Sequence, residues 1–170
     1  MNRSFLRRRY RNLHPVAQRI FLYEHFRTNV AALTEAVRRS PKTYALRHAL
    51  ADALLRANRR SEARRIWFQT TRLFPRAPNP FFQLANWAME HGRFDEAEKR
   101  LRQCLVLDRG YFEETAHFWR AESLFRLGRF DEAIFELGHV RDDFEEMWFL
   151  QYRSRSKSDI LNDIACAKHQ

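Results

Sequence analysis

The chain has 170 residues, the length of one ordinary domain, and its 45% hydrophobic and 14% aromatic content excludes a disordered polypeptide. Only 4 Gly and 5 Pro are present, too few for the many turns of a β-sandwich or barrel, so the composition favours helices. The net charge of +10 is unevenly spread, because residues 1–77 hold 18 Lys and Arg against 4 Asp and Glu. This basic half predicts either an anionic partner or a solvated Arg-rich surface.

The N-terminus predicts a basic arm over residues 1–9. Residues 1–23 contain six Arg and no acid, and they lack the continuous apolar stretch of a secretory signal. No run of 18 apolar residues predicts a membrane-spanning helix. We expect an intracellular, cytoplasmic protein; a mitochondrial address is the alternative, because an Arg-rich, acid-free start is typical of presequences. Four of these residues are predicted to belong to a basic surface: Arg7, Arg8, Arg9 and Arg11.

A six-residue segment occurs twice in the second half of the chain. The sequence Gly-Arg-Phe-Asp-Glu-Ala stands at 92–97 and returns unchanged at 128–133, an offset of 36. Thirty-four residues before the first copy, the segment 58–63 reads Asn-Arg-Arg-Ser-Glu-Ala, and it ends in the same Glu-Ala pair as the two copies. An internal period of this length predicts an array of repeated supersecondary units, each of which buries its apolar face against its neighbours.

The period and these residues resemble the tetratricopeptide repeat, a helix–turn–helix unit with small residues where the helices cross. The Leu-small pair of that repeat stands at Leu50-Ala51 and Leu84-Ala85, but the last copy has Arg120-Ala121. The small residues that open the second helices are Ala63, Ala97 and Ala133. The resemblance implies an all-α, right-handed superhelical solenoid of about four units over 10–147. The predicted units are 10–43 (degenerate), 44–77, 78–113 and 114–147.

The C-terminal region, 148–170, is predicted to be a capping helix and tail. Residues 144–152 predict a helix or helix end, 153–158 a polar break, and 159–167 a short helix capped by Ser158 or Asp159. We expect no strands, and turns at Asn58, Gly92 and Gly128, because Gly supplies the backbone freedom that a tight turn needs.

The sequence contains no recognisable catalytic or metal-binding pattern. None of the seven His residues forms the His-x-x-x-His pair with Glu of a helical zinc hydrolase, and there is no Gly-rich phosphate loop or nucleophile elbow. Cys104 falls at a helix-crossing position and is predicted to be a core residue. We expect a non-enzymatic protein that uses neither a cofactor nor a metal.

In tetratricopeptide proteins the first helix of each unit lines a concave groove, so the resemblance implies a set of partner-binding residues. They are His48, Asp52, Leu55 and Arg56 from the second unit, Phe82, Gln83, Asn86, Met89 and Glu90 from the third, and Phe118, Trp119, Glu122, Phe125 and Arg126 from the fourth. Such a mixed apolar and aromatic surface fits an apolar or helical peptide segment. The alternative is that several of these residues pack between units. Truncation of Phe82 or Phe125 is expected to weaken a protein partner without unfolding the chain.

A second predicted surface is basic. It comprises Arg59, Arg60, Arg64, Arg65 and Arg72 of the second unit, and it could hold RNA or another polyanion through phosphates, although the sequence shows no stacking platform beside it. Three functions follow: a scaffold or adaptor that holds a protein segment in its groove; a structural subunit of a ribonucleoprotein or other large complex held by Arg contacts; and a small secretion-type chaperone, which the basic charge disfavours. The oligomeric state is left open.

Overall fold

The structure is a computed structural model that describes residues 29–107, 110, 113–148 and 153–169. The predicted basic arm and the first part of the degenerate repeat lie outside the described residues. The elements in chain order are α1 (29–39), α2 (Tyr44–Arg56), α3 (Arg60–Leu73), α4 (Pro78–Glu90), α5 (Phe94–Leu107), α6 (Glu113–Arg126), α7 (Phe130–Leu137), β1 (Glu145–Trp148), β2 (Arg153–Ser156) and α8 (Lys157–Lys168). Contacts group the chain into two compact units, residues 1–73 and 74–170.

The three turns that join α2 to α3, α4 to α5 and α6 to α7 share one backbone device. Asn58, Gly92 and Gly128 have φ angles of 59°, 67° and 72°, the left-handed region that Gly and Asn tolerate best. The next residue then donates its N–H to a carbonyl five positions back, the hydrogen bond of a Schellman motif. These bonds join Arg59 to Leu54, Arg93 to Ala88 and Arg129 to Leu124. The predicted turns are confirmed.

The repeated small residues lie where paired helices cross. Ala63 is fully buried in the first compact unit, where α2 packs against α3. Ala97 and Ala133 are fully buried in the second unit, whose helices α4 to α7 each pack against the next. Cys104 joins the same core, as predicted. An Ala side chain is small enough to let two helix axes approach, which explains why this position recurs with the repeat.

The segment after the fourth repeat differs from the sequence prediction, because it forms a hairpin. β1 and β2 pair antiparallel, with Glu145 opposite Ser156, so the expectations of no strands and of a helix over 144–152 are wrong for 145–148. A short apolar run does not distinguish a strand from a helix end. Alternation along β2 leaves Ser154 exposed and buries Arg155, which a sequence of polar residues does not reveal.

α8 begins two residues earlier than predicted, at Lys157, and Ser156 is its N-cap. The Ser156 hydroxyl accepts the Asp159 N–H at 3.2 Å, and the Asp159 carboxylate accepts the Ser156 N–H at 2.8 Å. This reciprocal pair is a capping box, so Asp159 acts from the third helical position and is not itself the cap. Ile160 and Ile164 of α8 are buried in the core of the second compact unit.

Candidate partner-binding surface

The predicted groove residues of the second repeat lie on one face of α2 and reach solvent. His48 and Arg56 are exposed, Leu55 is 36% exposed and Asp52 is half-buried. The Arg56 guanidinium lies 2.7 Å from the Asp52 carboxylate, and the His48 ring stacks parallel to Tyr44 with centroids 6.1 Å apart. The face therefore combines one accessible apolar side chain with polar groups that its own helix holds in place.

On α4 the predicted groove residues divide into two kinds. Phe82 and Met89 are 8% and 4% exposed and belong to the hydrophobic core of the second compact unit. Gln83, Asn86 and Glu90 are half-buried and keep part of their surface in solvent. The expectation that Phe82 can be truncated without unfolding is therefore replaced, because removal of a buried Phe typically costs about 3–5 kcal/mol.

On α6 most of the predicted groove residues are covered by the chain itself. Phe118, Trp119 and Glu122 are at most 1% exposed, and the Phe144 ring lies 5.1 Å from the ring of Phe118. Phe125 is half-buried against the same core, and only Arg126 is exposed. The alternative that several groove candidates are packing residues thus describes α6 better than an open groove does.

Glu122 owes its complete burial to Arg155 of β2. Nη2 and Nε of Arg155 donate to Glu122 Oε2 at 2.8 and 3.1 Å, and Arg155 Nη1 reaches Asp163 at 2.8 Å. The second oxygen of Glu122 accepts from Arg126 Nε at 2.8 Å. Burial alone would lower the pKa of Arg155, but the two carboxylates outweigh it and raise that pKa. A buried ion pair persists only when it is fully hydrogen-bonded, and this one anchors the hairpin to α6.

The basic residues of the second repeat lie on and beside α3. Arg59 donates to both oxygens of Glu62 at 2.6 and 2.8 Å, whereas the Arg65 side chain is 67% exposed and approaches Glu62 only to 3.8 Å. Arg60 and Arg72 are exposed and Arg64 is half-buried. The Arg72 guanidinium lies over the ring of Phe68, 4.7 Å from its centroid. Phe68 was not predicted from the sequence, where its signal is its spacing from Arg65 and Arg72, three and four positions away.

The described ranges, 29–107, 110, 113–148 and 153–169, lack two features of other protein classes. No group of three His, Cys, Asp or Glu residues there could hold a metal ion. No helix there is both long enough and apolar enough to cross a membrane.

Comparison with known proteins identifies the fold. The tetratricopeptide repeat family model matches residues 25–78 and 82–139. The chain belongs to the tetratricopeptide repeat family. Solved structures of MamA are similar to this chain. MamA AMB-1 is 21% identical over 65% of this chain, with a TM-score of 0.56. MamA MSR-1 is 20% identical over 68% of this chain, with a TM-score of 0.55. The chain covers 59% and 65% of those two proteins, and no curated protein matches it. The predicted family and all-α repeat fold are confirmed.

The fourth tetratricopeptide unit replaces its signature Leu by Arg120, and the structure shows why this is tolerated. Arg120 donates to Glu98 of α5 at 3.0 Å and to Glu136 of α7 at 2.6 Å, and both carboxylates are 3% exposed. His117 Nδ1 lies 2.7 Å from the other oxygen of Glu136. Burial would raise the pKa of Glu136, but the hydrogen bond with His117 and the charge of Arg120 lower it overall. Three helices are therefore joined by a polar seam, Glu98–Arg120–Glu136–His117, at a crossing that is usually apolar.

Proposed function

We propose that this chain is a non-enzymatic scaffold that binds a segment of a partner protein along the exposed face of α2. Tetratricopeptide repeats serve as protein-interaction scaffolds, and the family match supports that general role. The observation that supports α2 as the site is its accessibility: His48, Leu55 and Arg56 are exposed there, whereas on α6 Phe118, Trp119 and Glu122 are buried and Arg126 is exposed.

The chemistry of this face suggests the kind of segment that it binds. Leu55 offers apolar contact in the last turn of α2, His48 offers a planar ring two turns earlier, and Arg56 offers a guanidinium already oriented by Asp52. A helical segment with one apolar side chain flanked by a hydroxyl or acidic residue would match these groups. Rigid side chains lose little entropy on binding, so a small face of this type can still contribute useful affinity.

A substitution matched in residue type and exposure tests the proposal. Leu55 on α2 and Leu161 on α8 are both 36% exposed, so Leu55→Asp and Leu161→Asp have comparable costs to folding. Each variant and the parent are used to capture proteins from the native source, and the captured proteins are quantified by mass spectrometry. We expect a specific partner that Leu55→Asp loses and Leu161→Asp retains. Equal recovery by the two variants, with unchanged circular dichroism, would exclude α2 as the site.

A photo-crosslinkable residue gives an independent measurement of the same contact. At position 48 it should crosslink the captured partner. At position 61, an exposed Ser on α3, it should not. A partner that crosslinks only from position 61 would place binding on α3.

A further inference from the structure

Three residues of α3 form a narrow exposed surface, here called the Phe68 ridge: Arg65, Phe68 and Arg72. Arg65 is three positions before Phe68 and Arg72 is four after it, so all three lie on one side of the helix. Phe68 is 38% exposed, and the Arg72 guanidinium lies 4.7 Å from the centroid of its ring. The ridge is about 10 Å long, because seven residues of helix rise by that amount.

The described part of the compact unit that carries the ridge has an excess of positive charge. Residues 29–73 contain ten Lys and Arg but three acids. Each acid is already paired: Glu35 with Arg38 and Arg39, Asp52 with Arg56, and Glu62 with Arg59. The hydrogen bond from Arg59 lowers the pKa of Glu62, so that carboxylate stays ionised but is balanced locally. The surplus of positive charge therefore remains to attract an anion.

We propose that the Phe68 ridge binds single-stranded RNA, with a base stacked at Phe68 and phosphates held by Arg65 and Arg72. Single-stranded nucleic acids are held by aromatic rings on which bases stack, set in a basic surface that follows the phosphates. Arg suits this role because its planar guanidinium both stacks on rings and contacts phosphate oxygens in a bidentate manner. The ridge thus provides the stacking platform that the basic surface otherwise lacks.

Two other anionic partners fit the ridge less well. A membrane surface requires a broad apolar face that enters the lipid, whereas the ridge offers one half-exposed ring between two charged residues. A polyanion without bases would use the Arg residues but would gain nothing from the ring. The contribution of Phe68 therefore separates RNA from the alternatives.

The first test measures fluorescence anisotropy of a labelled oligouridylate of about 12 nucleotides with the full chain. We expect binding whose affinity falls steeply as salt rises from about 50 to 200 mM. Phe68→Ala should weaken it by about tenfold, whereas Phe135→Ala, at a 68% exposed Phe of α7, should not.

Phe68→Leu keeps apolar volume without the ring and should also weaken RNA binding, so the test holds if Phe68→Ala folds poorly. Heparin, which has no bases, should bind both Phe68 variants as it binds the parent.

The second test reverses charge on the ridge. Arg65→Glu with Arg72→Glu should weaken oligouridylate binding by about tenfold or more and flatten its salt dependence. Lys99→Glu with Arg100→Glu on α5 changes the net charge equally and should have a much smaller effect. The proposal is overturned if oligouridylate does not bind at about 50 mM salt, or if Phe68→Leu affects heparin as much as RNA. It is also overturned if phosphatidylserine vesicles bind the chain while oligouridylate does not.

Discussion

At the scale of single residues, the turns depend on a backbone conformation that costs most residues energy. Gly128 has a φ of 72°, and a Cβ built there would meet no atom within 4 Å, so the cost of Gly128→Ala comes from the backbone alone. We expect it to lower the free energy of unfolding by about 1–2 kcal/mol in urea melts. Gly128→Asn should cost less, because Asn58 occupies the same turn position in an earlier repeat. Equal losses for Ala and Asn would mean that contacts, and not φ, set the cost.

Arg120 gives a prediction that runs against the family pattern. Arg120→Leu restores the usual residue but leaves Glu98 and Glu136 buried without their guanidinium. We expect a loss of about 3–5 kcal/mol, since an unpaired buried charge is costly. When Glu98→Gln and Glu136→Gln are added, most of that stability should return. A stable Arg120→Leu single variant, measured by the same melts, would mean that the seam is not held by these ion pairs.

At the scale of elements, helix crossings depend on the small residues that recur with the repeat. Ala97→Leu and Ala133→Leu insert three heavy atoms at positions with no exposed surface and should each cost about 1–3 kcal/mol. Ala45→Leu is the matched control, because Ala45 is exposed on α2 and its change should stay within about 0.5 kcal/mol. If denaturant melts show the same loss of stability for Ala45→Leu as for Ala97→Leu and Ala133→Leu, the assigned crossing positions are wrong.

The capping box at the start of α8 links the hairpin to the last helix. Ser156 ends β2 and caps α8, so Ser156→Ala should loosen both elements and cost about 1 kcal/mol. Hydrogen exchange should accelerate first at the amides near the start of α8. Asn162→Ala, at an exposed position further along α8, is the control, and Ser158→Ala tests the neighbouring hydroxyl, which lies 2.9 Å from that of Ser156. Faster exchange in the Ser158 variant alone would instead support the cap that the sequence predicted.

The sequence predicts those parts of the fold whose causes are local. Turn residues such as Gly92 are determined by the backbone angle φ, and crossing residues such as Ala97 by side-chain size, so the repeated sequence motif reveals both. The hairpin was missed because the short apolar run at 144–152 fits a helix end as well as a strand. The burial of Glu122 was missed for a different reason. Its partner Arg155 is 33 residues away, and only the folded chain brings the two together.

In the whole molecule, the exposed candidate binding residues and the buried ion pairs lie in different parts of the chain. Residues 29–73 hold the exposed α2 face and the Phe68 ridge, together with a surplus of positive charge, whereas the described residues after 73 have more acids than bases. Residues 74–169 hold the Arg155–Glu122 pair and the polar seam, which stabilise packing. The two proposed sites lie on different helices of one basic unit, so Leu55→Asp should weaken RNA binding much less than Arg65→Glu with Arg72→Glu does, and Phe68→Leu should leave protein capture unchanged.

The polar seam also makes stability depend on pH in a defined direction. The folded chain lowers the pKa of Glu136, so near pH 4 the unfolded chain binds more protons than the folded chain does. The stabilisation from Glu136 is therefore fully present above its unfolded pKa and is lost as pH falls through its folded pKa. We expect the free energy of unfolding to decrease between about pH 5 and 3, and Glu136→Gln to reduce that slope. Glu132→Gln on the same helix is the control: Arg129 lowers its pKa too, but both side chains are exposed, so their pair contributes little. A slope that Glu132→Gln reduces as much as Glu136→Gln would assign the acid sensitivity to surface charge and not to the seam.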